Sequence, residues 1–484
     1  MEIAPFDPSM LTAILPELLL LGLTALVLIL DLAIGRGRRE ALGWVAFGGL
    51  TAILAVALLT GRPSDDAGLI FGGMLRHDGP AFAFRILFLF AAAVVCLLSQ
   101  GLGTGRYRGE YYALLLVATL GMNLMAGAAD LIMLTLAIET TSVPLYVLAG
   151  FLKRDDRSTE AGLKYFLFGA LTSAVMLYGF SLLYGFAGET NLYRLAAAFR
   201  EGALPAGALA GAGLLVLAGL GFKIAAVPFH FWTPDVYEGA PTPITAFIST
   251  ASKAAGFAVL VRFALAAFPD IQVYWTGALA AVAVATMTLG NLLALAQANI
   301  KRMLAYSSIA HAGYALIGLV ALSAFGLAST VFYLAAYVVT NLAAFAVVIL
   351  FARGAGSEQI ADYAGMSRRS PGLALALLVA LLSLAGMPPL AGFVAKVYVF
   401  AAAVQSGWVW LAFAGVLNAI IGLYYYLTVL KVVYLYRSQG DERPLPLSRP
   451  QSLALLGCTI AIVVIGVISA PWLGWSLEAA QALF

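Results

Sequence analysis

The chain has 484 residues, of which 62% are hydrophobic and 11% charged, with a mean hydropathy of +0.96. Soluble domains average about 25% charged residues, so this composition excludes a soluble globular domain and defines an integral membrane protein, whose domain count does not follow from length. The net charge of +3 is scattered through short loops and forms no basic stripe, which argues against nucleic acid and leaves membrane lipid as the surrounding medium.

Crossing a hydrocarbon core of about 30 Å takes roughly 20 apolar residues. Such stretches lie near 10–33, 41–61, 80–100, 110–128, 130–151, 161–186 and 206–232. Others lie near 241–268, 272–297, 302–323, 327–353, 371–403, 408–436 and 452–475. The expected fold is therefore an all-α polytopic membrane protein of about fourteen transmembrane helices in a single membrane domain, 1–484. The N-terminal stretch lacks the basic flank of a cleavable signal and is interrupted by Glu17, so it reads as a retained helix. Glu17 and Asp31 lie near its two ends and read as interfacial. Cys96 and Cys458 fall in apolar stretches without metal-ligand spacing, which points to buried thiols.

With the N-terminus outside, the inner side receives Arg36, Arg38, Arg39, Arg106, Arg108, Lys153, Arg154, Arg157, Lys164, Lys301, Arg302, Arg353, Arg368, Arg369, Lys431, Arg437, Arg443 and Arg449. The outer side receives Arg62, Arg76, Arg85, Arg194, Arg200 and Arg262. This positive-inside asymmetry places both termini outside.

Two spans read as broken. The seventh runs into VPFHFWTPDVYEGAPTP (227–243), whose prolines cannot all sit in one regular helix, and the twelfth contains GMPPLAG (386–392). Matched broken helices in two halves point to a transport site. One offset relates the halves: Glu139 to His311 is 172 positions, Lys223 to Lys396 is 173, and Lys253 to Tyr425 is 172. Because that offset spans five helices, an odd number, it implies a first repeat at 110–268 and a second, inverted repeat at 272–436.

The remaining three basic residues, Lys223, Lys253 and Lys396, lie inside apolar spans, as does Glu139. Each such charge costs about 2.5 to 3.5 kcal/mol at the membrane centre, on the order of 10 kcal/mol for four left unpaired. Residues of this kind usually face a bundle interior or a water-filled path and mark ion or proton pathways. Lys223 precedes the first break, and Glu139 reads as its partner in an ion pair; a static structural salt bridge is the alternative. Lys253 follows Thr250 and Ser252, consistent with a hydrated path, against the alternative that it snorkels to an interface. Lys396, past Pro389, reads as the terminal donor on the exit side, or else as a residue that snorkels or caps the broken helix. His311 is a relay candidate near neutral pH, and His230 sits at the first break. Tyr424, Tyr425 and Tyr426 either line the exit or belong to an aromatic belt. Lys164, with Glu160, opens the sixth span on the inner side, with either a role near proton uptake or ordinary solvation.

No dinucleotide fingerprint, P-loop, CxxC pair or haem motif occurs, and the glycines of GLGTG (101–105) sit in a short loop. The stretches EAGLKYFLFGALTSAVMLYG (160–179), FKIAAVPFHFWTPDVYEGAPTPITAFISTASKAAGF (222–257), ANIKRMLAYSSIAHAGY (298–314) and LAGMPPLAGFVAKVYVF (384–400) resemble the hallmark segments of the antiporter-like membrane subunits of respiratory complex I, the bacterial NADH:quinone oxidoreductase. The resemblance covers essentially the whole chain.

The resemblance implies fourteen helices with two inverted five-helix repeats and broken helices seven and twelve. It also implies proton translocation through two half-channels linked by buried Lys, Glu and His residues. By position it assigns Glu139 to setting the proton affinity of Lys223, Lys253 to connecting the half-channels and Lys396 to outward release. It further implies no cofactor on this chain, with NAD, FMN, iron–sulfur clusters and quinone on other subunits. The implied partners are other membrane subunits, including other antiporter-like ones, in the bacterial inner membrane with periplasmic termini. Two members of the family fit less well: the largest continues into a lateral helix for which no room follows Phe484, and the middle one carries glutamate at the position of Lys396. A subunit of a multisubunit cation/proton antiporter is the alternative function, and a spacer that binds neighbouring subunits without moving protons is a third.

The charge asymmetry makes a direct prediction. Cysteines placed beside Arg154 and Arg369 are expected to react with impermeant thiol reagents from the cytoplasmic side only; reaction of both from the periplasm would invert the topology.

Overall fold

The computed structural model describes residues 7–8, 10–35, 39–63, 68–105, 107–200, 206–267, 272–438 and 444–481. Arg36, Arg38, Arg106, Arg443, Phe484 and the last residue of the 241–268 stretch lie outside them.

Among the described residues, twelve helices are long and apolar enough to cross a membrane. The first six run Leu15–Ala33, Ala41–Thr60, Gly79–Leu98, Leu131–Ala149, Asp156–Ala187 and Gly207–Ile224. The rest are Thr242–Ala267, Trp275–Ala294, Ile300–Val320, Ala324–Ala355, Val409–Leu435 and Arg449–Val467. Two of the fourteen expected stretches differ. Arg108–Gly127 is a helix of 20 residues made less apolar by Arg108, Glu110 and Asn123. The 371–403 stretch divides into the shorter apolar helices Pro371–Ala385 and Ala391–Gln405.

Helix starts follow the capping rules. Asp130 accepts from the Ile132 and Met133 amides, Asn299 from Lys301 and Arg302, and Asp78 from Ala81. Each satisfies amides that the first turn leaves without a partner, which matters more where no water can replace them.

Both expected breaks are present. Ala206–Ile224 stops at Ala225, whose φ is 59°, and helix resumes at Trp232–Gly239. Pro234 and Pro243 sit in the first turns of Trp232–Gly239 and Thr242–Phe247, where a missing N–H costs nothing. The second break lies between Pro371–Ala385 and Ala391–Gln405, with Gly386 at a φ of 88°. A feature that the sequence pattern does not reveal is a π-helical turn, Ile248–Ser252, directly before Lys253; such turns widen a helix locally and recur at functional sites.

The helices sort into inner and outer ones. The best apolar window of Thr242–Ala267 is 100% buried and that of Ala324–Ala355 is 94% buried, whereas that of Asp156–Ala187 is 28% buried. The last presents Leu163, Leu167, Leu171 and Tyr178 outward. The centre of the bundle is therefore formed by the helices that carry Lys253 and His311 and by Ala324–Ala355, which packs on both.

Two residues expected at the interface are buried within the protein. Glu17 is buried and paired with Arg85 at 2.9 Å, and Asp31 is buried beside Arg39 at 3.3 Å. Pairing inside the protein offsets the cost of taking each charge out of water. Arg85 and Arg262 are likewise buried and not free loop charges. Arg262 grips Asp78 with two hydrogen bonds of 2.7 and 2.8 Å and donates to the Ala126 carbonyl. Asp78 thus caps one helix and neutralises an arginine on another. Beside it in the connecting turn, burial and the neighbouring Arg85 hold His77 down to about 4, Asp78 opposing them. Cys96 and Cys458 are buried thiols.

Removing the Asp78 charge leaves Arg262 buried and uncompensated, a change that typically costs about 3–5 kcal/mol. Asp78→Ala is expected to lower the thermal unfolding temperature and the level of assembled protein. Unfolding at the unsubstituted temperature would show the pair to be energetically idle.

Candidate functional site

Lys223, Lys253 and Lys396 are solvated by hydroxyls and carbonyls in place of carboxylates. Lys223, at the end of Ala206–Ile224, donates to Ser142 Oγ on Leu131–Ala149. Ser142 follows Glu139 by three residues and so shares its helix face. Among the described residues no direct ion pair joins Lys223 to Glu139, so the expected contact is corrected: the ammonium binds the serine hydroxyl instead. A small cavity of ≈ 10 Å³ adjoins this pair, lined by Ser142, Tyr146, Thr172, Ser173 and Lys223, the space of about one water.

Lys253 is almost wholly buried and donates to the Ser308 carbonyl at 2.6 Å and to Ser308 Oγ. The same hydroxyl accepts from Tyr337 at 2.8 Å and lies 3.2 Å from the Tyr237 hydroxyl. Asn341 extends the network by donating to Tyr337 at 3.1 Å and to Ser249 at 2.8 Å. Lys253 therefore does not snorkel. Thr250 donates to the Ala246 carbonyl of its own helix, so it does not extend the network. The Lys223 stem packs against the helix of Lys253 at Gly256, where a Cβ would meet the Lys223 Cβ and Cγ at 3.3 Å.

His311 lies three residues beyond Ser308 and on the same face. Its Nδ1 is 2.6 Å from the Tyr333 hydroxyl, and its Nε2 is 3.3 Å from Tyr426, which bonds Ser307. Lys396 is buried, donates to the Leu384 and Ala385 carbonyls at 2.9 Å each, and lies 4.8 Å over the Tyr314 ring. It thus caps the first half of the broken helix, as one of the two sequence readings expected, where a cation also meets the negative end of the helix dipole. Between His311 and the Leu384 carbonyl lies a second cavity of ≈ 10 Å³, also lined by Tyr337, Thr340 and Ser383, again the space of about one water.

The secondary candidates separate. Tyr425 is buried and donates to Asn291, Tyr426 joins the His311 network, and Tyr424 faces outward. Lys164 pairs with Glu160 and Asp235 at 2.7 Å each, and Asp235 also binds Arg302. It fastens Asp156–Ala187 to the resumed helix after the first break and touches none of the buried lysines. His230 is buried at the break with Nδ1 lacking a hydrogen-bond partner. Sequence reasoning missed Ser142, Ser308 and Tyr337. The signal available was spacing: Ser142 stands three residues from Glu139, and Ser308 three from His311.

The fold belongs to a known class. A family model described as NADH:quinone oxidoreductase/Mrp antiporter matches residues 128–422. The NADH-quinone oxidoreductase subunit N of Moorella thermoacetica is 42% identical over 471 residues, covering 97% of this chain and 98% of that protein. A chain of respiratory complex I from Thermus thermophilus with bound aureothin is 35% identical, covers 95% of this chain and 98% of its own length, and superposes with a TM-score of 0.79. A chain of the Mrp complex from Dietzia sp. is 22% identical with a TM-score of 0.87, covering 98% and 97%, and shows the fold alone. This chain belongs to the antiporter-like membrane subunit family of the NADH:quinone oxidoreductases and Mrp antiporters. Within that family, its similarity over nearly full length is to proteins named NADH-quinone oxidoreductase subunit N.

Gly386 joins the positive φ of the second break to Lys396: a Cβ there would meet Lys396 Cδ at 2.9 Å. Gly386→Ala adds backbone strain of about 1–3 kcal/mol and displaces the ammonium. It is expected to lower proton translocation in the assembled complex, whereas Gly372→Ala, in open space, leaves it unchanged. Equal behaviour of the two variants would remove the steric argument.

Proposed function

We propose that this chain is a proton-translocating membrane subunit of a NADH:quinone oxidoreductase, in which Glu139, Lys223, Lys253, His311 and Lys396 carry the proton along the row. The observation that carries the reading is the set of fully internal lysine ammonium groups held by neutral hydroxyls and carbonyls. An ammonium that needs no fixed counter-charge can lose its proton without leaving a carboxylate stranded, which suits exchange better than a locked ion pair.

The half-channels follow the two repeats, 110–268 and 272–436, which supply Glu139, Lys223 and Lys253, then His311 and Lys396. Redox chemistry with NAD, FMN, iron–sulfur clusters and quinone belongs to other subunits. The partners are the other membrane subunits of the complex, including further antiporter-like ones. The site is the bacterial inner membrane with both termini periplasmic, as the loop charges favour. His230, Lys164 and Tyr425 are supporting positions. The Mrp-type cation/proton antiporter is the second reading, favoured by the higher TM-score of 0.87. Fold likeness at 22% identity does not separate the two, and identities of 42% and 35% over nearly the whole chain favour the oxidoreductase.

In the assembled complex, Glu139→Ala and Lys223→Ala are each expected to impair proton pumping together with coupled quinone reductase activity. Glu139→Asp is expected to be milder because it keeps the charge. Normal pumping by Lys223→Ala in a fully assembled complex would reduce these residues to a structural role.

A further inference from the structure

A polar cavity opens on one face of the molecule, where residues from the two halves meet. Its volume is ≈ 480 Å³, room for on the order of ten waters. One wall is the 152–157 loop and the Gly239–Pro243 turn; the other is Asn299, Lys301 and the 349–359 segment. The rim is exposed and charged, with Asp155, Arg157 and Arg353, and every charged loop residue on it falls in the basic-rich set of loops. The floor is closed: Lys301 is buried, donates to the Ala240 carbonyl at 3.0 Å and pairs with Glu358 at 3.2 Å.

Below that floor lies the Lys253 network. Lys301 and Ser308 stand seven residues apart on one helix, about 10 Å and two turns along the same face. The resumed helix Trp232–Gly239, whose end forms part of the cavity wall, sends Tyr237 inward to the Ser308 hydroxyl that holds Lys253. The first cavity, beside Lys223, has room for a single water.

We propose that this cavity is the aqueous mouth through which protons are taken up, delivering them to Lys253 at the junction of the halves, with the Lys301–Glu358 pair as its gate. The inference rests on the proton-translocating reading above and adds where uptake occurs. The net step is balanced: an O–H bond of a hydronium in the cavity breaks, an N–H bond forms on the Lys253 amine, and a water stays behind. The hydroxyls of Tyr237 and Ser308 mark the inner end of the route.

The test uses the assembled complex in sealed vesicles, with Ser357→Cys, and Ala352→Cys as a second site, both on the cavity wall. A methanethiosulfonate carrying trimethylammonium is added from the cytoplasmic side, with the unsubstituted complex treated in parallel. Labelling is expected to slow proton translocation about tenfold, the effect of one positive charge about 10 Å from another in a protein interior. Glu358→Gln is expected to slow it without reagent. Full labelling with normal pumping, or failure of the reagent to reach either cysteine, overturns the proposal. Lys253→Ala is read separately: normal pumping by that variant would defeat the proton-path reading itself, whereas its loss beside unaffected labelled complexes would defeat only this mouth.

Discussion

An ammonium group removed from water must be solvated by the protein, and the architecture of this chain follows from how that is done. A lipid-facing backbone offers nothing to spare, because regular helices use their own carbonyls. Carbonyls and hydroxyls become available only where a helix stops, widens or meets a polar neighbour. Lys223 sits beside a stop and meets Ser142, Lys253 follows a π turn and meets Ser308, and Lys396 meets the end of Pro371–Ala385. Each lysine stands beside a defect in helical regularity, and at Lys396 the defect itself supplies the carbonyls that solvate the ammonium.

The arrangement also explains which helices occupy the centre. Ile300–Val320 carries Ser307, Ser308, His311 and Tyr314 on adjoining turns, so one helix presents the partners of Lys253, Tyr426 and Lys396 together. Ala324–Ala355 closes around it with Tyr333, Tyr337 and Asn341. Hydroxyl chains of this kind polarise one another and hold a single geometry when every member is satisfied. Asp78, Glu17 and Asp235 instead fasten arginines and Lys164.

The membrane fold was legible in the sequence because hydropathy and proline placement are local properties. Gly386 and Pro389 mark one break as clearly in sequence as in space, and the buried lysines announce themselves by being costly. Partners were less legible. Glu139 looked like the natural mate of Lys223 because opposite charges attract, yet packing placed Ser142 against the ammonium. Ser, Thr and Tyr are ordinary residues in such helices, and only the tertiary arrangement distinguishes Ser308, which holds Lys253, from Thr250, which bonds its own backbone. The partners of Glu17 and Asp31, Arg85 and Arg39, were hidden for the same reason, since nearness to a helix end says nothing of what packs beside it.

The cap that Lys396 places on Pro371–Ala385 has a mechanical side. An ammonium has three hydrogens to donate and an amine has two plus a lone pair. While charged, Lys396 ties down the Leu384 and Ala385 carbonyls that end the half-helix. Were it neutral, its two hydrogens could still reach both carbonyls, but those bonds would lose their charge assistance and the dipole its counter-charge, and the loop from Gly386 to Leu390 would be held less firmly at its root. Protonation at this position and tension in the adjoining break are then one variable, so a pull on either half of the divided helix is felt as a change in basicity.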